Sequence, residues 1–247
     1  MTTQHHSKNP ITWLWHIIVL LIICCLALSL YLRSTTQSIY VDQKKQMELL
    51  SLGYELKSYS DYLTTQVRSF AVTNNPTYLK NYWDEVLIHK HRDHIIKTIE
   101  TFSTNPQESQ RLLTSKRYSD DLIQTEMRSM KLITSAYQIP EHSLPKPMQT
   151  YHLSLKDKNL SPTQKRKMAQ SLLYDKEYTI SKQRIMRPIE TYNHNVSIQL
   201  KHIITSREKD IEISNALLIV SLILALLFCM GTLWINYKDT IEPSGEK

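Results

Sequence analysis

Residues 49–70 read LLSLGYELKSYSDYLTTQVRSF, and within them Leu49, Leu52, Leu56, Tyr59, Leu63, Val67 and Phe70 recur at steps of three and four. That spacing lines one face of an α-helix, whereas a strand would alternate at every second residue. The stretch predicts a long amphipathic helix, and its apolar face must be buried against helices patterned in the same way.

Upstream, residues 11–32 read ITWLWHIIVLLIICCLALSLYL, 22 positions without Asp, Glu, Lys or Arg. Residues 213–237, ISNALLIVSLILALLFCMGTLWINY, repeat this over 25 positions. As a helix rising about 1.5 Å per residue, either run is long enough to cross a hydrocarbon core of about 30 Å. Trp13, Trp15 and Tyr31 flank the first run, and Trp234 and Tyr237 the end of the second, where amphipathic rings sit at headgroup level. A cleaved secretory signal is the competing reading of the N-terminus, from Lys8 and the small residues at Ala27-Leu28-Ser29. The apolar stretch is longer than such signals carry, so an uncleaved anchor is expected.

Between the runs, residues 33–212 hold 27 of the 30 basic and 20 of the 23 acidic residues, a net charge of +7. A segment that long is not governed by the positive-inside rule. Two spans put both tails on one side, and the simplest topology leaves 1–10 and 238–247 in the cytoplasm with 33–212 outside. Three glycines, Gly53, Gly231 and Gly245, supply no Gly-rich phosphate loop or dinucleotide fingerprint. Cys24, Cys25 and Cys229 all fall within the apolar runs, so the polar middle has no disulfide and no thiol chemistry.

The helical pattern extends outward from 49–70. Asn74-Asn75-Pro76 predicts a break, since the residue before proline is pushed out of the helical region. A second helix is expected from Pro76 or Thr77 through Tyr82, Val86 and Ile95 to about Phe102. Asn105 and Pro106 suit the cap and first turn of a third, carrying Leu113, Ile123, Met127, Met130 and Tyr137. Pro140, Pro145, Pro147 and Pro162 exclude a continuous helix over 138–163, which reads as a long connection. Beyond it, Ile185, Ile189, Tyr192, Val196, Gln199 and Ile203 step toward the second run, with Pro188 starting a helix or kinking one. The expected fold class is all-α: a membrane-anchored four-helix up-and-down bundle with two transmembrane helices.

Three patches carry a family resemblance. The first is Ser60-Asp61-Tyr62-Leu63-Thr64, then Val67-Arg68-Ser69-Phe70-Ala71-Val72-Thr73-Asn74-Asn75-Pro76-Thr77-Tyr78 and Tyr82-Trp83-Asp84. The second is Ser119-Asp120-Asp121-Leu122 with Glu126, Met127 and Met130; the third is Leu173-Tyr174-Asp175 with Tyr178, Lys182 and Met186-Arg187-Pro188-Ile189. In this order, between two apolar runs, they resemble the extracytoplasmic four-helix sensor domains of bacterial methyl-accepting chemoreceptors, histidine kinases and diguanylate cyclases. The resemblance implies an inner-membrane homodimer that senses a small molecule and transmits piston or rotational shifts through its spans. It departs from the pattern in a shorter stretch between Trp83 and Ser119, and in having ten residues after Tyr237, too few for an output domain. A separate signalling protein is therefore expected; an output-less remnant or a scaffold for an envelope partner is the alternative.

Candidate sites are few. Arg68, with Tyr78, Tyr82 and Trp83 across a hairpin, could hold an anionic ligand, or could pack on those rings and pair with Asp61 or Asp84. His91 and His94 share a helix face at i, i+3 and are a weak two-ligand metal candidate, opposed by Lys90 and Arg92. No nucleophile-base pair or carboxylate dyad stands out, so neither catalysis nor a cofactor is expected. The basic run Lys165-Arg166-Lys167 suits a solvated helix start better than nucleic acid, and the expected partners are the bilayer, a second copy, a small ligand and a signalling protein.

Overall fold

The computed structural model describes residues 10–103 and 105–241. The tails expected at 1–10 and 238–247 lie outside the described residues except for Pro10 and 238–241. The described chain is all-helical: α1 (Pro10–Thr73), α2 (Pro76–Asp84), a π-helical turn (Glu85–His89), α3 (His91–Phe102) and α4 (Pro106–Ala136) come first. A 3-10 turn (Glu141–Ser143), α5 (Lys146–Thr150), α6 (Leu155–Lys158), α7 (Pro162–Tyr174) and α8 (Lys176–Ile241) follow. Two helices, α1 and α8, are long and apolar enough to cross a membrane.

The chain divides into two compact units. One holds residues up to 45 and from 200 onward, the outer parts of α1 and α8. Here Cys25 Sγ and Ser221 Oγ lie 3.0 Å apart, Ile18 and Thr232 are buried, and Leu20, Leu30, Leu226 and Leu233 stand exposed. Apolar surface on that scale is what a lipid-facing pair of helices presents.

The other unit, Gln46–Gln199, carries the core. Leu49, Leu56, Leu63, Val67 and Phe70 are buried, with Leu52 and Tyr59 packed against the core edge. Contacts from α1 to the inner part of α8 pair rising with falling residue numbers. The Leu49 carbonyl accepts from Tyr192, Lys57 pairs with Glu190 and the Ser60 carbonyl accepts from Lys182, so these segments run antiparallel. The absent Cβ of Gly53 makes room for the approach, because a methyl there would stand 1.8 Å from Asn193 Oδ1.

Helix ends follow the sequence cues. Asn75 caps α2 through the Thr77 amide with Pro76 in the first turn, and Asn105 caps α4 through Gln107 in the same manner. Ser161 and Gln164 form a reciprocal capping box on α7.

Two expectations are corrected. The stretch 76–102 is not one helix: it widens into the π-turn and breaks at Lys90, which adopts φ 50°, ψ 36°, left-handed backbone that no Gly, Asn or Pro announces. Of the two readings of Pro188, a helix start or a kink, the helix start is overturned. The last helix begins at Lys176, capped by the Asp175 carboxylate on the Tyr178 amide, and runs through Pro188 unbroken. One turn earlier, Ser115 donates to the Ile185 carbonyl at 2.7 Å, beside the Arg184 carbonyl that Pro188 leaves without its helical donor.

The buried face of α4 is partly polar. Ser115, Ser119, Glu126 and Ser129 are buried together with Leu112, Leu122, Met130 and Ile133. Leu113 and Ile123, expected inside, are only partly buried, and Tyr137 is exposed. The connection after α4 is held down by ion pairs. Arg128 Nε and Nη2 donate to the two Asp157 oxygens at 2.8 Å each, and Lys131 reaches Glu141 Oε1 at 3.0 Å and the Met148 carbonyl at 2.8 Å.

Candidate functional site

At the centre of the 46–199 unit lies a carboxylate. Glu126 on α4 is 4 % exposed and accepts from the Tyr82 hydroxyl of α2 at 2.5 Å and from the Tyr178 hydroxyl of α8 at 2.7 Å, one on each oxygen. Both rings are buried, and Tyr82 meets Trp83 edge to face at 5.2 Å between centroids. Burial pushes the Glu126 carboxyl above its ordinary range, and the two phenols, then Lys182 and Arg92, pull it partly back. Burial, reinforced by the same carboxylate, lifts the Tyr82 and Tyr178 hydroxyls, so both remain donors.

Cations surround this centre. Lys182 on α8 donates to the Ser60 carbonyl at 2.6 Å and the Ser60 hydroxyl at 3.0 Å, and pairs with Asp61 at 3.2 Å. Burial lowers its ammonium pKa against the pull of Asp61. Arg68 on α1 sends Nε and Nη2 to the Leu173 carbonyl at 3.1 and 2.9 Å, and its guanidinium lies over the rings of Tyr174 (4.6 Å) and Tyr178 (5.2 Å). The Leu173 carbonyl belongs to the last turn of α7, where helical partners run out, and a cation there suits the helix dipole. Arg92 on α3 donates to Ser119 on α4. The bonds at Glu126 join α2, α4 and α8, Lys182 ties α8 to α1, Arg68 ties α1 to α7, and Arg92 ties α3 to α4.

The residues anticipated from sequence are thus divided. Arg68 and Tyr82 both reach the network, from opposite sides of it. The rings under Arg68 are Tyr174 and Tyr178 instead of Tyr78, Tyr82 or Trp83. Among the described residues its head pairs with neither Asp61, which takes Lys182, nor Asp84, which takes Lys80. Tyr78 is partly buried at the core edge. Trp83 lines a separate groove of about 620 Å³ with Leu87, Ile88, Leu144 and Pro145, and its Nε1 has no partner among the described residues. His91 is engaged otherwise than with a cation: Nδ1 is 2.7 Å from Glu85 Oε2, its amide donates to Glu85 Oε1, and its ring stacks on Tyr59 at 4.3 Å. Among the described residues no three of His, Cys, Asp and Glu come together as a metal site would require.

Sequence reasoning passed over Glu126, Tyr178, Lys182 and Arg92 as site residues. A signal existed for the first: Leu122, Glu126, Met130 and Ile133 step by four, four and three, placing an acid inside an apolar stripe. A second groove, about 640 Å³, lies over Tyr178 and is bordered by Leu122, Arg128, Tyr151, Ile180 and Arg184. No protein-family model matches the chain, and no curated protein or solved structure matches it.

Proposed function

We propose that the chain is a bacterial inner-membrane protein of the sensor type. Its helical unit stands on the extracytoplasmic side as a four-helix up-and-down bundle of α1, α2–α3, α4 and α7–α8, and both tails are cytoplasmic. It acts as a homodimer without catalysis of its own, passing small shifts of α1 and α8 to a separate signalling protein. The observation that supports this reading is the convergence of the three sequence patches. Tyr82 from the first and Tyr178 from the third both donate to Glu126 from the second, Arg68 from the first lies over the Tyr178 ring, and Lys182 from the third holds Ser60 from the first while its charge acts on Glu126. Surface patterns shared by chance would be scattered over the helices. The groove beside Tyr178 has the size of a small-metabolite site.

The test is a thermal-shift screen of the full chain in detergent against amino acids, organic acids, polyamines and divalent metals. A compound that binds the native state raises its melting temperature by mass action. A reproducible rise that is lost in Arg68→Ala supports the sensor. Silence across the panel moves the reading to an output-less or scaffolding membrane protein.

A further inference from the structure

The charges of residues 138–167 are unevenly distributed. The stretch holds six basic residues and two acidic ones, Glu141 and Asp157. Both acids turn to cations of α4, Asp157 to Arg128 and Glu141 to Lys131. Among the described residues none of the six cations, Lys146, Lys156, Lys158, Lys165, Arg166 and Lys167, has a carboxylate within ion-pair distance, so this connection presents an excess of positive charge.

The end of α4 and this connection enclose a cavity of about 400 Å³, within the range of small-metabolite sites. Lys131, Ser135, Gln138, Glu141, His152 and Lys158 contribute to its polar lining. Lys131 is 6 % exposed, and its ammonium holds Glu141 Oε1 at 3.0 Å and the Met148 carbonyl at 2.8 Å, which leaves one of three N–H groups unused. The side chains of Lys158 and His152 have no hydrogen-bond partner among the described residues, and Ser135, which accepts from Lys165, keeps its own hydrogen free. The last carbonyls of α4 are taken by the amides of Tyr137, Gln138 and Ile139, so the groups that remain open are mostly donors.

Glu141 is the one acid of the lining, and it is loosely placed. Its side chain is 67 % exposed on a three-residue turn, and it offers Lys131 a single oxygen. The bond and charge of Lys131, then His152 and Lys158, draw its carboxyl below the usual range. Two ammonium groups and a histidine thus converge on one carboxylate, which leaves positive charge uncompensated. The position of Glu141 Oε1, beside a buried ammonium and reachable from solvent, is one that an oxygen of an incoming anion can take.

We propose that this cavity binds a small multivalent oxyanion, a di- or tricarboxylate or a phosphate compound, through Lys131 and Lys158, and that Glu141 is the tethered carboxylate which the ligand displaces. Lysines are point charges that accept either geometry, whereas selection of one planar carboxylate calls for the fork of an arginine. The cavity shares no lining residue with the groove beside Tyr178, and the proposal does not rest on the sensor reading.

The test uses the full chain in detergent, with citrate, glycerol 3-phosphate or inorganic phosphate replacing chloride at constant ionic strength and pH. At least one should raise the melting temperature in a saturable manner, by about 3–6 °C at ten times its dissociation constant. A response to citrate alone assigns the carboxylate class, and a response to the phosphates alone assigns the other. Glu141→Gln, which removes the displaced group, should tighten binding several-fold. Lys131→Met should abolish it; Lys158→Gln, at an exposed position that serves if Lys131→Met does not fold, should weaken it several-fold. Melting temperatures that rise with none of the three anions, that climb without saturating, or that respond alike in the parent chain, Glu141→Gln and Lys158→Gln would overturn the proposal. A response lost in Arg68→Ala and kept in Lys158→Gln would overturn it as well.

Discussion

Removing one hydroxyl from the Glu126 centre, by Tyr82→Phe, isolates the energetics of the network because the ring and its packing stay. The lost bond is a 2.5 Å contact to a buried carboxylate. Hydrogen bonds to charged groups contribute about 1.5–3 kcal/mol, and here the acceptor keeps a single donor in dry surroundings, so a loss of about 2 kcal/mol is expected at pH 8. For a chain of this length that corresponds to a fall in melting temperature of about 4–8 °C. The pH dependence sharpens the test. Burial raises the folded pKa of Glu126 above its ordinary 4.5, so protonation favours the folded state. The stabilisation from binding that proton is fully present below the unfolded value and is lost as pH rises through the folded one. Tyr82→Phe removes an interaction that favours the ionised form and extends this window upward. The deficit of the variant should therefore shrink as pH is lowered from 8 through the raised folded value, while the same substitution made in a Glu126→Gln background should show no such slope. Melting curves by circular dichroism at half-unit pH intervals provide the assay. A deficit below about 0.5 kcal/mol at pH 8, or one that does not change with pH, would refute the account of Glu126 as a buried acid held by its phenols.

Three further outcomes are expected. Gly53→Ala should lower the melting temperature by about 2–4 °C although alanine is the better helix former, because the new methyl meets Asn193 Oδ1 at 1.8 Å and Tyr192 Cε1 at 2.9 Å; a rise would deny the close approach. Asp157→Asn should cost about 2 kcal/mol through the forked bond from Arg128. Because Arg128 holds the Asp157 pKa below 3.8, that stabilisation is present above 3.8 and fades as pH falls through the lowered folded value; a gap that closes already near neutral pH would contradict the pairing. Leu155→Cys, at a position 79 % exposed, should react in intact cells with a membrane-impermeant maleimide, and labelling only after lysis would place the 46–199 unit in the cytoplasm.

The sequence was most legible where a single physical rule acts. On α1 the apolar stripe needed only periodicity: of its seven residues Leu49, Leu56, Leu63, Val67 and Phe70 are buried, and Leu52 and Tyr59 are partly buried against them. Asn75-Pro76 and Asn105-Pro106 marked helix starts because capping and proline act locally. α4 was misread in part because its inward face is built of Ser115, Ser119, Glu126 and Ser129, which look like solvent residues until their partners on α2, α3, α7 and α8 are known. The break at Lys90 had no composition cue, since the left-handed residue is a lysine. Arg68 stood out as an Arg near aromatics, but which rings lie beneath it depends on how α7 and α8 return along α1, information that no local window holds.

The serines of α4 also govern how the core can move. Ser115 grips the Ile185 carbonyl at 2.7 Å and Ser129 grips the Ala169 carbonyl at 2.8 Å, two pegs almost four turns apart on one helix. Oily faces slide over each other by fractions of an ångström at little cost, but a hydroxyl peg holds at one carbonyl and lets go within a short travel. With two such pegs along its length, α4 resists creeping along α7 and α8 and is favoured to unlatch and re-engage one residue or one turn away. Displacement of this helix would accordingly be quantised, a ratchet in place of a spring.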